Sequence, residues 1–538
     1  MNSIISRFGL TVTVLFFAAV RADAQPTLQI RVNDQGLSSI RYGGDELLAQ
    51  SQIELRKLML WPAEAASPQS NPHVGFNLAA NRLVQTYEWG SISCVYRIDG
   101  GRIYLDVQVK NTAKAGIRFI DMALMKLKLP GWNKSGEWDG RWPQPSDTAD
   151  DPQIFQINYD GGTMLFCGEQ VDRPLGLHVL PTGITDQCQL VLRFESFPHM
   201  GSLIGKGDSD HFLLSVRFGP KDADPVEIAD DLYKRFARRY PPQMKWTDHR
   251  PIGSINLASS AMGIKKNPRG WFMERYDLDV TTPQGVEDFH KRLLKYADNC
   301  IGFARDMNAQ GVIVWDIEGQ EMPHMISYIG DPRLMETMAP EMAGVADAFM
   351  QKFKDAGLRV GVTIRPSHVV RSPGSNEPWT HVQAEDPVEE ISEKIAYAKK
   401  RWGCTLFYID STTLWDTQPD GTLVLNTMPA EFFRILNQRF PDSLLIPEES
   451  ATRHWAYTAP YHELQQGYTQ TPANVHAVYP DAFTILRVVD AGMDLVRQKH
   501  DELVAGVRSG DILLYRTWFD DEYDKEVKQI YLDAKTNP

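Results

Sequence analysis

DPVEEISEKIAYAKKRWGCTLFYID, residues 386–410, spells out one helix followed by one strand. Asp386 offers a side-chain acceptor to the open N–H groups of a helix start, and Pro387 fits the first helical position. Val388, Ile391, Ile395 and Ala398 recur at spacings of three and four, which marks a single buried stripe. Gly403 closes the helix. Thr405 to Ile409 then runs almost wholly apolar, without alternation, as a strand covered on both faces does. The strand stops on an acid, Asp410.

Working outward, the same unit recurs. From about Pro251 the strand candidates are Ile252–Ala258, Val312–Ile317, Arg359–Arg365, Thr405–Asp410, Leu444–Pro447, Val475–Tyr479, Phe483–Val489 and Asp511–Thr517. Apolar strands alternating with amphipathic helices imply a parallel sheet with helices on both faces. Eight such strands predict closure into a (β/α)8 TIM-type barrel. The connection from the sixth strand to the seventh shows no evident helix, so seven or eight strands both remain open. Helix-to-strand turns are terse, as in Ala356-Gly357-Leu358 and Ser509-Gly510, whereas strand-to-helix loops such as 318–332 and 367–385 are long and aromatic. Long loops at one end only are a cost unless they build something. The carboxyl ends of the strands are therefore the expected working face.

Before residue 220 the character differs. Ile103, Leu105, Val107 and Val109 fall at every second position after Asp99-Gly100-Gly101, the pattern of a hairpin with one buried face. Further strand signals at Leu28–Val32, Ile117–Leu129, Thr163–Cys167, Gln189–Phe194 and Phe212–Phe218 predict an all-β sandwich. Asp224-Pro225 opens a helix expected to run through Arg239. The expected organisation is a leader over 1–24, a β-sandwich over 25–220, a helical connector over 221–250 and the barrel over 251–538.

The leader reading rests on Arg7, an apolar run from Leu10 to Val20, and the small-x-small site Ala22-Asp23-Ala24. It predicts export to the periplasm or the medium. The run is too short to span a bilayer, and no membrane insertion is expected. The formal net charge of −13, with no basic block, argues against nucleic-acid partners. The cysteines, at 94, 167, 188, 300 and 404, form no metal-spaced cluster. Cys167 and Cys188 could pair after export, although five buried thiols is the better reading. Neither a metal nor another cofactor is expected, and oligomeric state is not legible.

Polar residues collect where the apolar strands stop. Trp315, Asp316 and Glu318 stand at the end of the second strand and Arg365 at the end of the third; Asp410 ends the fourth, Glu448 and Glu449 come at the end of the fifth, and Arg516 and Trp518 at the end of the last. A carboxylate placed at a strand end is costly unless paired or used. Glycosidic-bond cleavage needs two carboxyls flanking one bond. Neighbouring strands bring such groups to the required separation, with Asp410 as nucleophile and Glu448 as acid/base. Glu449 competes with Glu448, because Pro447 disturbs strand parity. Trp315, Trp415, Tyr479 and Trp518 offer flat faces for sugar rings; Asp316, Glu318, Arg365 and Arg516 offer groups to hold hydroxyls. The expected partner is an oligo- or polysaccharide.

A β-sandwich, a helical connector and a barrel with Asp closing strand four resembles the glycoside hydrolases of α-linked sugars, the α-galactosidase, α-amylase and endo-α-N-acetylgalactosaminidase-like enzymes. In the latter two groups the nucleophile is the strand-four Asp and the acid/base a strand-five Glu, which the resemblance carries to Asp410 and Glu448. In the α-galactosidase-like enzymes the acid is an Asp after strand six, carried here to Asp481. The chain lacks the lysine-tryptophan-aspartate form of the strand-four motif, so no single family is assigned. Each residue also has a structural alternative: Asp410 could pair with Arg365, Glu448 could be a solvated loop residue, Asp481 could shape a turn, and the tryptophans could be core. A non-catalytic polysaccharide-binding protein on the same barrel is the competing function.

Overall fold

A computed structural model describes residues 27–33, 36–49, 58–62, 69–71, 74–132, 154–171, 176–181, 189–196, 204–258, 264–274, 277–320, 328–371, 379–417, 423–488, 492–517 and 522–536. The leader, Cys188 and Trp518 lie outside the described residues.

The N-terminal part consists of antiparallel sheets of three, five and seven strands. The expected hairpin is Gly90–Asp99 paired with Arg102–Asn111, and its turn glycines both have positive φ. Ile103, Leu105, Val107 and Val109 are fully buried. They share one core with Leu37 and Ile40 of the three-stranded sheet and with Ile120, Met125 and Leu127 of the five-stranded one. Cys167 is a free, buried thiol and forms no disulfide.

The expected single connector helix is two, Pro225–Ile228 and Asp230–Arg239, broken at Ala229. Asp224 caps the first by accepting from the Val226 N–H.

The barrel strands, in chain order, are Ile252–Asn256, Gly311–Trp315, Arg359–Ile364, Leu406–Ile409, Leu444–Pro447, Tyr461–Glu463, Ile485–Arg487 and Ile512–Arg516. They form one parallel sheet in which the first strand lies between the second and the eighth, and the edges are the fifth and the sixth. A hydrogen bond from the Ala459 N–H to the Leu445 carbonyl, 3.0 Å, bridges those two edges. The sheet is thereby an eight-stranded barrel in all but full pairing.

The sixth strand corrects the sequence reading. Val475–Tyr479 is not a strand: Ala473–Val478 is a helix that begins after Pro472, with Val475 and Val478 buried three residues apart. The true strand is Tyr461–Glu463, just after Pro460. The helix missing from the sixth-to-seventh connection is the segment that had been taken for strand.

Candidate active site

Which way each barrel side chain points follows from what it touches. Leu406 and Tyr408 belong to the core inside the barrel, whereas Phe407 and Ile409 belong to the core between strands and helices. The period of two along a strand then turns Asp410 inward. By the same rule Leu444 and Ile446 lead to Glu448, Tyr461 leads to Glu463, Ile485 to Arg487, and Leu514 to Arg516. Val360, Val362 and Ile364 face outward, so Arg365 faces in. The mouth of the barrel is thus ringed by carboxylates and guanidinium groups above a floor of Trp315, Tyr408 and Tyr461, whose rings lie 5.0–5.2 Å apart in sequence.

Asp410 and Glu448 meet in this ring. Asp410 is buried and forms an ion pair with the Arg365 Nε. The Glu448 carboxyl lies beside that of Asp410 and adds to the upward push on its pKa. The Ser411 N–H donates to Glu448 Oε2 at 2.8 Å, a direction made possible by the left-handed backbone of Ser411 (φ 51°). Arg365 is fixed further: Nη2 donates to Ser411 Oγ at 2.6 Å and Nη1 to the Tyr328 carbonyl at 3.1 Å. An ion pair with Arg365 alone would suit a purely structural Asp410. A structural pair has no need of a second carboxyl pressed against it.

Glu449 turns elsewhere. Its Oε2 accepts from the Thr412 N–H at 2.6 Å, and the Thr412 hydroxyl accepts from the Glu449 N–H at 2.9 Å. This clamp joins the loops after strands four and five and leaves Glu448 to face the mouth.

Burial pushes the Asp410 carboxyl well above the usual carboxylate range; Arg365 opposes this and Glu448 adds to it. Burial, then Glu448, pushes Glu449 up to about 7. His381 sits behind Arg365, its Nε2 on the Tyr328 carbonyl and its Nδ1 on Ser367 Oγ, each at 2.9 Å. A carbonyl only accepts, so Nε2 carries the proton and Nδ1 takes the serine's. Burial and Arg365 hold this imidazole down to about 3, neutral at any ordinary pH.

The motif Asp316 to Gln320 is a tight reversal after strand two. The Gly319 N–H returns to the Asp316 carbonyl at 2.9 Å, and both residues are left-handed. A side chain at Gly319 would place Cβ 2.3 Å from Arg269 Cγ. Asp316 ends up buried beside Glu318, Gln320 and Arg365. Burial, and then Glu318, raises it well above the usual range. Glu318 caps the Asp331 N–H at 2.9 Å, and burial pushes it up to about 7. Strained, left-handed residues with side chains are uncommon, and two of them, Asp316 and Ser411, stand at this mouth.

Other expected residues are placed as follows. Trp315 is core floor, not an open platform. Trp415 is half-buried on a hairpin, Thr413–Thr417 with Leu423–Thr427, that rises from strand four. Arg516 is half-buried on the inward side of strand eight. Tyr479 is a correction: it is buried at the opposite end, where its hydroxyl donates to the Tyr240 carbonyl at 2.8 Å. Asp481 is likewise corrected. It is exposed in the turn that leads into strand seven, at the amino end of the barrel. The position after strand six that the resemblance assigned to it falls instead to Glu463.

Sequence reasoning missed Tyr328, Tyr461, Glu463 and Arg487. The Tyr461 hydroxyl donates to Glu463 at 2.5 Å, and Arg487 reaches the same hydroxyl at 3.1 Å. The one signal available was Pro460-Tyr461-His462-Glu463, too short to register as a strand. Among the described residues no group of three or more His, Cys, Asp or Glu side chains could hold a metal ion. Nor is any helix among them long and apolar enough to cross a membrane.

No protein-family model matches the sequence, and no curated protein matches it. Solved structures do. The α-N-acetylgalactosaminidase NagBb from Bifidobacterium bifidum, in complex with GalNAc, aligns over 95% of this chain and 92% of its own with a TM-score of 0.54 and 9% identity. A quadruple mutant of the same enzyme aligns over the same shares with a TM-score of 0.52 and 12% identity. Along nearly its whole length, the chain therefore shares the fold of a glycoside hydrolase.

Proposed function

We propose that the protein is an exported, retaining glycoside hydrolase of α-linked sugars, with Asp410 as nucleophile and Glu448 as acid/base. The observation that carries this reading is the meeting of two carboxyls from adjacent strands at the barrel mouth, one of them salt-bridged to Arg365. Burial raises the Asp410 carboxyl, and Arg365 opposes that shift, toward the ionised form that attacks an anomeric carbon. As the C1–O bond breaks, Glu448 gives its proton to the departing oxygen and Asp410 forms the glycosyl ester. Glu448 then takes a proton from water, which attacks C1 and frees Asp410. An inverting pair stands roughly 6.5–9.5 Å apart to leave room for water. A retaining pair stands roughly 5–5.5 Å apart, and the close approach of Asp410 and Glu448 is nearer that separation than the inverting one. Asp316 and Gln320, buried acceptors at the same mouth, suit the hydroxyl or amide donors of a bound sugar. The N-terminal sheets read as a sandwich that buttresses the barrel.

A non-catalytic sugar-binding protein would need neither the buried Asp410 nor its contact with Glu448. Aryl α- and β-glycosides, N-acetyl-α-galactosaminide among them, test the proposal against wild type, Asp410→Asn, Glu448→Gln and Glu463→Gln. Asp410→Asn should lose activity on every substrate, by at least about 10³-fold in kcat. Glu448→Gln should lose most on poor leaving groups and least on activated ones, because only the former need a proton. If Glu463→Gln shows that leaving-group pattern instead, the acid/base belongs to strand six. A folded wild type that cleaves none of the series would end the glycosidase reading.

A further inference from the structure

The helix Pro387–Trp402 buries a lysine against the active-site strand. Lys394 has no solvent exposure at all. Its Nζ donates to the carbonyl of Arg365 at 2.8 Å and to that of Ser367 at 2.7 Å. The third N–H direction is taken by Glu390, 3.1 Å away on the preceding turn, with Asp331 at 3.8 Å. A buried ammonium costs several kcal/mol unless it is fully paired. A leucine or methionine would fill the same space on an amphipathic helix without that cost. Burial lowers its pKa below the usual lysine range, and Asp331 and Glu390 oppose the shift.

Those two carbonyls flank Pro366, at the point where strand three leaves the barrel. Pro366 has no N–H and makes no ladder bond there, so the exit must be held by other groups. The Arg365 main chain is gripped from both sides: its carbonyl by Lys394, and its N–H by the Gly330 carbonyl at 2.9 Å. Gly330 is left-handed, and a Cβ there would come within 2.7 Å of Arg365 Cγ. The same ion network reaches the loop after strand two. Arg333 joins Asp331 at 2.8 Å to Glu390 at 2.5 Å, and the Asp331 N–H is capped by Glu318. Glu318 thereby leads, through Asp331, to the residue that faces Asp410.

We propose that Lys394 is a positioning residue, which anchors the exit of strand three so that the Arg365 guanidinium stays registered against Asp410. The inference rests on the glycosidase reading for its kinetic consequence, though not for its structural one. Lys394 touches no substrate, and its effect passes through Arg365 alone. A misplaced guanidinium would hinder formation of the glycosyl ester more than it would hinder substrate binding.

Lys394→Met, assayed on whichever aryl glycoside the wild type cleaves, should lose about 10–100-fold in kcat with KM within about 3-fold. Gly330→Ala perturbs Arg365 from the opposite side and should give the same split. Hydrogen–deuterium exchange of the 365–371 segment should quicken in Lys394→Met, with the other barrel strands unchanged. A folded Lys394→Met with wild-type kcat, or with its loss carried by KM, overturns the proposal. If Lys394→Met does not fold, Gly330→Ala decides: the kcat split supports the proposal and its absence overturns it. A wild type inactive on every glycoside sinks the glycosidase reading separately. The exchange experiment then judges Lys394: quickening confined to 365–371 supports it, and unchanged exchange overturns it.

Discussion

At the residue scale, the site is defined by acids held where acids are expensive. Glu318 is 2% exposed, and burial lifts its carboxyl from 4.5 to about 7. The folded protein therefore prefers the protonated form. That preference contributes fully below about pH 4.5, the unfolded value, and is lost as pH rises through about 7. The shift corresponds to about 3 kcal/mol between the two limits. Gln at this position keeps an oxygen for the Asp331 N–H and cannot ionise. Glu318→Gln should therefore melt close to wild type at pH 5 and clearly above it at pH 8. Equal melting temperatures at pH 8 would show that Glu318 ionises without cost. Asp410, Glu448, Asp316 and Arg365 were legible as candidates because each follows an unbroken apolar run, and a charge after such a run stands out. The choice between Glu448 and Glu449 was not legible. It depends on how Thr412, on a different loop, engages one of the two, and no local pattern encodes that.

At the scale of elements, the barrel was legible wherever strands are fully apolar and helices carry caps, as in Asp386-Pro387 to Gly403. It failed at the sixth strand for a physical reason. Tyr461–Glu463 has three residues, only the first of them apolar and buried, so it carries no run that marks a strand. Val475 to Tyr479 has the apolar content of a strand but follows Pro472, which starts a helical turn. The error placed the candidate strand-six acid at Asp481, which lies at the amino end of the barrel, whereas the strand itself ends on Glu463. The loops, by contrast, are tied to one another by specific side chains. Thr412 is fully buried, and its hydroxyl both donates to the Glu449 carbonyl at 2.9 Å and accepts from the Glu449 N–H. Thr412→Val keeps the shape and strands two buried polar groups, at a cost of about 1–3 kcal/mol. The urea midpoint should fall with its slope unchanged. A midpoint equal to wild type would mean that water or relaxation replaces the clamp.

At the scale of the whole molecule, the question is whether the N-terminal sheets and the barrel unfold together. One core cluster contains Leu165 and Cys167 of the seven-stranded sheet, Leu232 and Phe236 of the connector, and the outer faces of the barrel strands. The apolar contact is reinforced by charge. Arg217, on the sheet, is buried between Glu169 at 2.8 Å and Asp231 of the connector at 2.5 Å. Burial works against an ionised Glu169, yet hydrogen bonds from Ser215, Arg217 and Arg235 keep its carboxyl below the usual range. Replacing both partners of such a pair with apolar groups can be harmless, but removing one leaves a charge with too few partners. Arg217→Met should therefore cost about 3 kcal/mol, because Glu169 keeps Ser215 and Arg235 but loses one of its two cations. That loss falls at the seam between sheet and connector, so it should weaken the coupling as well as the total. Calorimetry of the wild type is expected to show one endotherm, and Arg217→Met two, the earlier belonging to the N-terminal sheets. Adding Glu169→Leu to the variant should recover part of the loss by removing the under-paired acid. Two endotherms in the wild type would mean that the shared core transmits too little to make the chain one cooperative unit. In that case the barrel would hold the Asp410–Glu448 geometry without help from the sheets.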